Sequence, residues 1–431
     1  MLSRFFKLKE NNTNTRTEIV AGATTFMTMA YIIFVNPRIL SDAGMPFEAT
    51  VAATCIGAAI PTIAMGILTN YPFALAAGMG INSTVVTLAV ARGMSWQMAM
   101  GIIVVEGLLI TVLVLAGLRQ AVMRAIPKAL KLAIGAGIGL LIALLGMEHA
   151  GWIVHPEKGG ILTFGSFHNK ATLIATAGVV ITAVLLAWRV RGGLLLGILA
   201  TTIIALIFKE AKLPEVSELF SAPDFSTFAQ ADVLAVLKFG FAAAIFSFLM
   251  VDFFDTMGTV IGVGERAGFI DARGRLPRIG RILLVDSLAA AWGGFCGGSS
   301  TTTYIESAAG VGEGGRTGLT SLVVGVLFLL ALFLSPIVGI VPAIATAPVL
   351  IVVGFLMISI VRDIPFDNIE EAFPAFLTLL VMPLTLSISH GIGYGFIAYT
   401  LIKLFRGKIR DIHPLMAGAS VLFAVSFALP A

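Results

Sequence analysis

Charge is scarce in this 431-residue chain. Asp, Glu, Lys and Arg together make up 12% of it, about half the roughly 25% of a soluble domain. So few charged groups cannot cover a water-soluble globule of this length. Cysteine is nearly missing as well. Cys55 and Cys296 both fall in or beside apolar segments, which excludes a disulfide framework and a cysteine-built metal cluster. Residues 1–18 are polar and lack the apolar run and small-residue cleavage site of a signal peptide. The first apolar segment is therefore expected to remain as a membrane helix. The net charge of +4 carries no nucleic-acid signal, because basic residues in a membrane protein mainly set orientation.

What the chain has instead is apolar length. Hydrophobic residues reach 58% and mean hydropathy is +0.99, which marks a polytopic, all-α membrane protein. A span needs about 20 residues, so fourteen would use roughly 280. The apolar segments run 17–36, 49–68, 73–91, 96–117, 126–147, 170–188, 192–208, 238–263, 278–295, 299–311, 317–340, 346–362, 372–389 and 391–405. One further apolar stretch, 414–430, is left over, to be an extra helix or an interfacial segment. With the N-terminus cytoplasmic, only Arg38, Arg92, Lys158, Lys170, Lys209, Lys212 and Lys238 of the 28 basic residues fall outside, as the positive-inside rule expects. Inside lie Arg119, Arg124, Lys128 and Lys131 in one loop, and Arg266, Arg273, Arg275, Arg278 and Arg281 in another. The acid-rich loop after span twelve, with Asp363, Asp367, Glu370 and Glu371 around Arg362, runs against this bias.

The two halves repeat. Phe26 to Ile33 aligns with Phe254 to Ile261, Ile81-Asn82-Ser83 with Ile305-Glu306-Ser307, and Ile126-Pro127 with Gly139-Leu140-Leu141 aligns with Val341-Pro342 and Gly354-Phe355-Leu356. The offsets are 228, 224 and 215, and each match joins span n to span n + 7. Seven is odd, so the second half enters the membrane in the opposite sense. This is the seven-plus-seven inverted-repeat plan of secondary transporters.

Ionisable groups at membrane depth are costly and mark function by default. Glu106, Asp252, Asp255, Asp286 and Glu306 qualify. Asp252 and Asp255, three apart, share one helix face. Asp286 has a polar neighbour or Arg281 as a bland partner, and Glu106 aligns with the apolar Val324, which suits a structural or gating role. The Gly-rich stretch 293–303 before Glu306, and its counterpart 71–80 before Asn82, are poor helices. Both read as short extended segments that turn into half-helices, the arrangement that points to a transporter's binding site. Asn82 and Glu306 then stand near half-helix starts, facing Asp252 and Asp255. Such a constellation suits a small, planar, hydrogen-bonding solute. Phe26, Tyr31, Phe253 and Phe254 lie on nearby spans and can stack on a ring. Glu306, Asp255 and Asp252 are the candidates to carry a coupling proton, and no metal or cofactor is called for.

Three features are set aside. Gly310 to Thr317 has phosphate-loop spacing with Arg316 for lysine, but it joins two spans and reads as a flexible cytoplasmic turn. His149, His155 and His168 read as solvated loop histidines. No nucleophile-elbow pattern supports a hydrolase.

Asp252-Phe-Phe-Asp255-Thr-Met-Gly, Thr303-Tyr-Ile-Glu306-Ser-Ala-Ala-Gly, Gly314-Gly-Arg-Thr-Gly-Leu-Thr, Ala76-Ala-Gly-Met-Gly-Ile-Asn82 and Met29-Ala-Tyr-Ile-Ile-Phe-Val-Asn36-Pro37 resemble the nucleobase–cation symporters, specifically the AzgA-like purine permeases. The resemblance implies a uracil-permease type of fold in which spans 3 and 10 each begin with a short strand. It implies a core domain in residues 1–117 and 236–341 and a gate domain in 118–210 and 342–431. It implies proton-coupled uptake of adenine, guanine or hypoxanthine across the cytoplasmic membrane by an elevator motion. Carried over, the substrate contacts fall on Asn82, Asp252 or Asp255, and Glu306, with Phe26 and Thr303 beside them. A homodimer, the preferred purine and the leading aspartate stay open. The rival is an anion transporter or another solute symporter of the same plan, although a carboxylate at position 306 would repel an anion.

Overall fold

The computed structural model describes residues 2–117, 125–154, 162–211, 222–237, 241–270, 276–334 and 338–428. Arg119, Arg124, His155, Lys158, Lys212, Lys238, Arg273 and Arg275 lie outside the described residues. So do the side chains of Phe254 and Asp255, whose backbone is helical.

The first half runs through α1 (Thr15–Met29), α2 (Ile32–Ser41), α3 (Phe47–Thr69), β1 (Leu75–Ala77), α4 (Met79–Arg92), α5 (Trp96–Leu115), α6 (Lys128–His149), α7 (Lys170–Ala187) and α8 (Gly193–Ile207). The second half runs through α9 (Ala242–Arg266), α10 (Ile279–Cys296), β2 (Thr301–Thr303), α11 (Ser307–Gly312), α12 (Gly318–Ala331), α13 (Ala343–Ile358), α14 (Ile369–Thr385) and α15 (Ile388–Phe405). A last helix, α16 (Pro414–Ala428), follows. Among the described residues, seven helical stretches are long and apolar enough to cross a bilayer, and α1 and α2 together form one of them, Thr15–Ser41. The chain is thus a helical polytopic membrane protein.

Local chemistry explains the breaks. Asn14 caps α1 by accepting from the Thr17 N–H at 3.0 Å. Asn70 ends α3 in the left-handed region at φ 55°, and Pro72 then keeps the chain out of helix before β1. Gly297 and Ser299, at φ 81° and 75°, turn the chain between α10 and β2. The three threonines of β2 are β-branched and favour a strand. Sequence placed the last interspan break near residue 390. It lies at Leu386, which is left-handed, and Ser387, which caps α15 through the His390 N–H at 3.3 Å.

β1 and β2 pair antiparallel, with Leu75 opposite Thr303 and Ala77 opposite Thr301. Gly78 N–H donates to the Ser300 carbonyl at 2.8 Å and Tyr304 N–H to that of Ala74 at 2.9 Å, which extends the ladder at both ends. Every strand residue is buried, so backbone polar groups far from any water are satisfied by each other. Two helices clamp the Leu75–Thr303 rung. Thr62 Oγ1 on α3 exchanges bonds with the Leu75 carbonyl and N–H, at 3.0 and 2.9 Å. Asp286 on α10 accepts from the Thr303 N–H and hydroxyl, at 3.0 and 2.8 Å.

Helix packing follows the internal repeat. α3 packs on α12, and their repeat counterparts α10 and α5 pack on each other. Small residues allow both contacts: a Cβ on Gly66 would strike the Gly318 carbonyl, and one on Gly107 the Ala291 backbone. α6 packs on its own counterpart α13, where the aligned glycines Gly139 and Gly354 face one another backbone to backbone. The leftover stretch forms α16, which runs antiparallel to α15: Ser420 reaches Thr400 at 2.7 Å, Phe423 packs on Phe396 and Phe427 on Tyr394 and His390.

Candidate functional site

A cavity of about 100 Å³ lies where the two strand–helix junctions meet. One side is formed by Gly78, Met79 and Gly80, where β1 becomes α4, and by Thr303, Tyr304, Ile305 and Glu306, where β2 becomes α11. Tyr31, at the joint between α1 and α2, and Val251 and Thr259 of α9 close this side. The opposite wall is apolar: Ile138 and Ile142 of α6, Val353 and Met357 of α13.

The lining residues come in repeat pairs. The aligned positions give Tyr31 with Thr259, Met79 with Thr303, Gly80 with Tyr304, Ile138 with Val353 and Ile142 with Met357, and all ten line the cavity. The cavity therefore straddles the pseudo-two-fold relation between the halves, where transporter sites form. Chemistry breaks the symmetry. Glu306 is the one charged residue among the described lining residues, and the Tyr31 hydroxyl donates to its Oε1 at 2.7 Å. The first N–H groups of α4, at Met79 and Gly80, have no acceptor within their own helix, and both residues line the cavity.

Of the residues marked in the sequence, Thr303 and Glu306 line the cavity, and Asn82, Asp252 and Phe26 do not. Asn82, fourth in α4 and fully buried, donates its amide to Asn36 Oδ1. Asn36 in turn donates to Thr54 Oγ1 at 2.7 Å and the Gly298 carbonyl at 3.1 Å. This chain of amides ties α2, α3, α4 and the turn before β2 behind the cavity wall. Asp252 is also fully buried and accepts from the Ser300 hydroxyl at 3.3 Å, on the backbone that meets Gly78. Phe26 packs edge-to-face on Phe328 of α12, with ring centres 5.2 Å apart. Asp286 faces Thr256, at 2.7 Å, and Thr303 rather than Arg281.

Sequence reasoning passed over three groups. Tyr31 was one aromatic among several, yet its hydroxyl reaches Glu306. Tyr304 bonds the Ala77 carbonyl through its hydroxyl and so locks the strand pair. Glu18 is fully buried and accepts from the N–H groups of Arg316 and Thr317, at 2.9 and 3.3 Å, and from the Thr320 hydroxyl at 2.6 Å. Its carboxylate thus sits over the start of α12, where a helix attracts negative charge. The turn at 313–317 is therefore tethered rather than loose. Arg316 further ties it by donating to the Val311 and Gly315 carbonyls. His149 is not a solvated loop residue either: it ends α6, and its Nε2 lies 3.2 Å from Asp42 Oδ2 at the end of α2.

The family model described as "Permease family" matches residues 16–394. The adenine permease AdeP of Escherichia coli is 40% identical, the alignment covering 98% of this chain and 95% of AdeP. The guanine/hypoxanthine permease PbuO of Bacillus subtilis is 42% identical, covering 97% of this chain and 99% of PbuO. Among solved structures, the transmembrane domain of the cyanobacterium bicarbonate transporter BicA has a similar fold, with a TM-score of 0.66 at 16% identity, covering 88% of this chain and 97% of that one. The chain belongs to the Permease family, alongside relatives that are adenine and guanine/hypoxanthine permeases and not enzymes.

Proposed function

We propose that the chain takes up purine nucleobases across the cytoplasmic membrane in symport with protons. Its architecture on this reading is the fourteen-span, seven-plus-seven plan, with the N-terminus cytoplasmic and α16 in addition. The observation that carries the reading is the cavity itself: among the described residues, the Glu306 carboxylate, the Tyr31 phenol bonded to it and the start of α4 share a cavity with the apolar side chains of Ile138, Ile142, Val353 and Met357. A purine is flat, apolar on its faces and rimmed with N–H donors and nitrogen acceptors. Its edge matches Glu306 and the N–H groups of α4; its faces match Ile138, Ile142, Val353 and Met357. A carboxylate as the one charge among the described lining residues disfavours an anionic cargo, so the likeness to a bicarbonate transporter bears on fold alone.

Two packing groups support an elevator motion. α1–α5 pack mainly with α9–α12, and α6–α8 mainly with α13–α15. The first group forms the core domain, which carries every polar residue among the described lining residues, and the second forms the gate domain. Glu306 is the leading candidate for the coupling proton because it is the one carboxylate among the described lining residues; Asp252 and Asp255 remain candidates behind it.

Sealed vesicles holding the protein test cargo and coupling together. Uptake of labelled adenine, guanine or hypoxanthine should rise with an inward proton gradient and collapse with a protonophore. Uptake sustained by a sodium gradient in the presence of the protonophore would overturn proton coupling, and failure with all three bases would overturn the cargo. Glu306→Gln puts an NH₂ donor in place of an acceptor oxygen and should cost about 2–4 kcal/mol, roughly 30- to 1000-fold in affinity. Glu106→Gln, away from the cavity, should leave affinity near wild type.

A further inference from the structure

We propose that Tyr31 is a positioning residue that holds the Glu306 carboxylate in the orientation that receives the substrate. The proposal rests on the reading of Glu306 as a substrate contact. Tyr31 occupies a joint in the first span: α1 stops at Met29 and α2 starts at Ile32. The intervening turn tightens, with the N–H groups of Ile33 and Phe34 donating to the carbonyls three residues back at Ala30 and Tyr31. That joint directs the Tyr31 side chain across to α11, 275 residues away in sequence, where the hydroxyl meets Glu306 Oε1 at 2.7 Å. The tyrosine is almost fully buried, at 1% exposure, while Glu306 is only partly buried, so the phenol is the fixed partner of the bond.

Two physical consequences follow. A glutamate has three rotatable side-chain bonds, and Glu306 makes no capping bond to its own helix. A phenol fixed by a buried ring removes much of that freedom before substrate arrives, which is preorganisation. The bond also occupies one lone pair on Oε1 and thereby limits how many N–H donors the carboxylate takes from a base. The repeat counterpart of Tyr31 is Thr259, a short side chain on the same cavity. One half thus supplies an arm that reaches the carboxylate, and the other half leaves room at the equivalent place.

The test is a double-mutant cycle on purified full-length protein, with adenine, guanine and hypoxanthine as titrants. Tyr31→Phe keeps the ring and removes only the hydroxyl. It should weaken binding of the best base roughly five- to twentyfold, with an unchanged melting midpoint. In a Glu306→Gln background, or Glu306→Asp if the amide binds too weakly to titrate, the same change should cost less than about twofold. Wild-type protein that binds none of the three bases overturns the purine reading, and this inference with it. Wild-type binding with no loss in Tyr31→Phe overturns the positioning role alone. So does an equal loss in both backgrounds, or a lowered melting midpoint, since the hydroxyl would then act on the fold and not through Glu306.

Discussion

Glu370 shows how one carboxylate behaves when cations surround it. It stands at the start of α14 and accepts from Lys403 Nζ at 2.6 Å and Lys408 Nζ at 2.7 Å, with Arg406 Nη1 at 3.1 Å. The lysine hydrogen bonds, Lys403 first, hold its pKa at about 2, down from an ordinary 4.5. A depressed carboxylate stabilises the fold above its unfolded pKa, and the contribution fades as pH falls through the folded value. The window is therefore about pH 4.5 down to about 2. Glu370→Gln should lower the melting midpoint at about pH 7, and the gap to wild type should narrow steadily below about pH 4.5. A gap of constant size across that window would remove Glu370 from the stabilising network. The same contacts explain the acid-rich loop after span twelve: its carboxylate answers the basic stretch after span fourteen, so the two share one side of the molecule.

Elements carry the site's precision. The β1–β2 pair is three residues long, and neither strand would persist without the side chains that clamp it. Asp286 is the most exacting of these, because it satisfies a buried N–H and a buried hydroxyl of Thr303 at once. Asp286→Ala should cost about 2–4 kcal/mol of stability, the sum of two unmet donors. It should also weaken purine binding, because Thr303 to Glu306 shift with the strand. Asp286→Asn keeps an acceptor oxygen and should cost clearly less. Equal melting midpoints for Asp286→Ala and wild type would show that the clamp is dispensable. This part of the site was half legible in the sequence. The Gly-rich stretches, the threonine run and the aligned Asn82 and Glu306 marked the broken spans, because backbone propensity is local. The rung partners Thr62 and Asp286 were not legible, since they act across the fold. Asn82 and Asp252 drew notice as polar groups at depth; Asn82 donates to Asn36 and Asp252 accepts from Ser300, and neither is among the described cavity-lining residues. Polarity in an apolar segment shows that a group needs a partner; it does not say whether that partner is substrate or protein.

At the scale of the whole molecule, the two packing groups meet through polar contacts at opposite ends. Thr15–Ser41 is 27 residues long, about 40 Å of helix. At its far end Asp42 meets His149 of α6. At its near end Arg191, between α7 and α8, lies 2.6 Å from Glu313, just after α11. Each contact joins the group that carries Glu306 to the group that carries the apolar wall, and the cavity lies between them. On the elevator reading proposed above, sliding that opens the cavity to one face breaks the contact on that face. Arg191 is 64% exposed, so the pair is worth only about 0–1 kcal/mol. Its loss then shifts the balance between closed and open forms by up to about fivefold. Glu313→Gln should therefore raise the rate at which a thiol reagent, confined to the Glu313 side of sealed vesicles, labels Thr259→Cys in a protein otherwise free of cysteine. The increase should be roughly two- to fivefold, and the reversed pair Arg191→Glu with Glu313→Arg should bring the rate back down. An unchanged labelling rate in Glu313→Gln would mean that this contact does not hold the cavity shut.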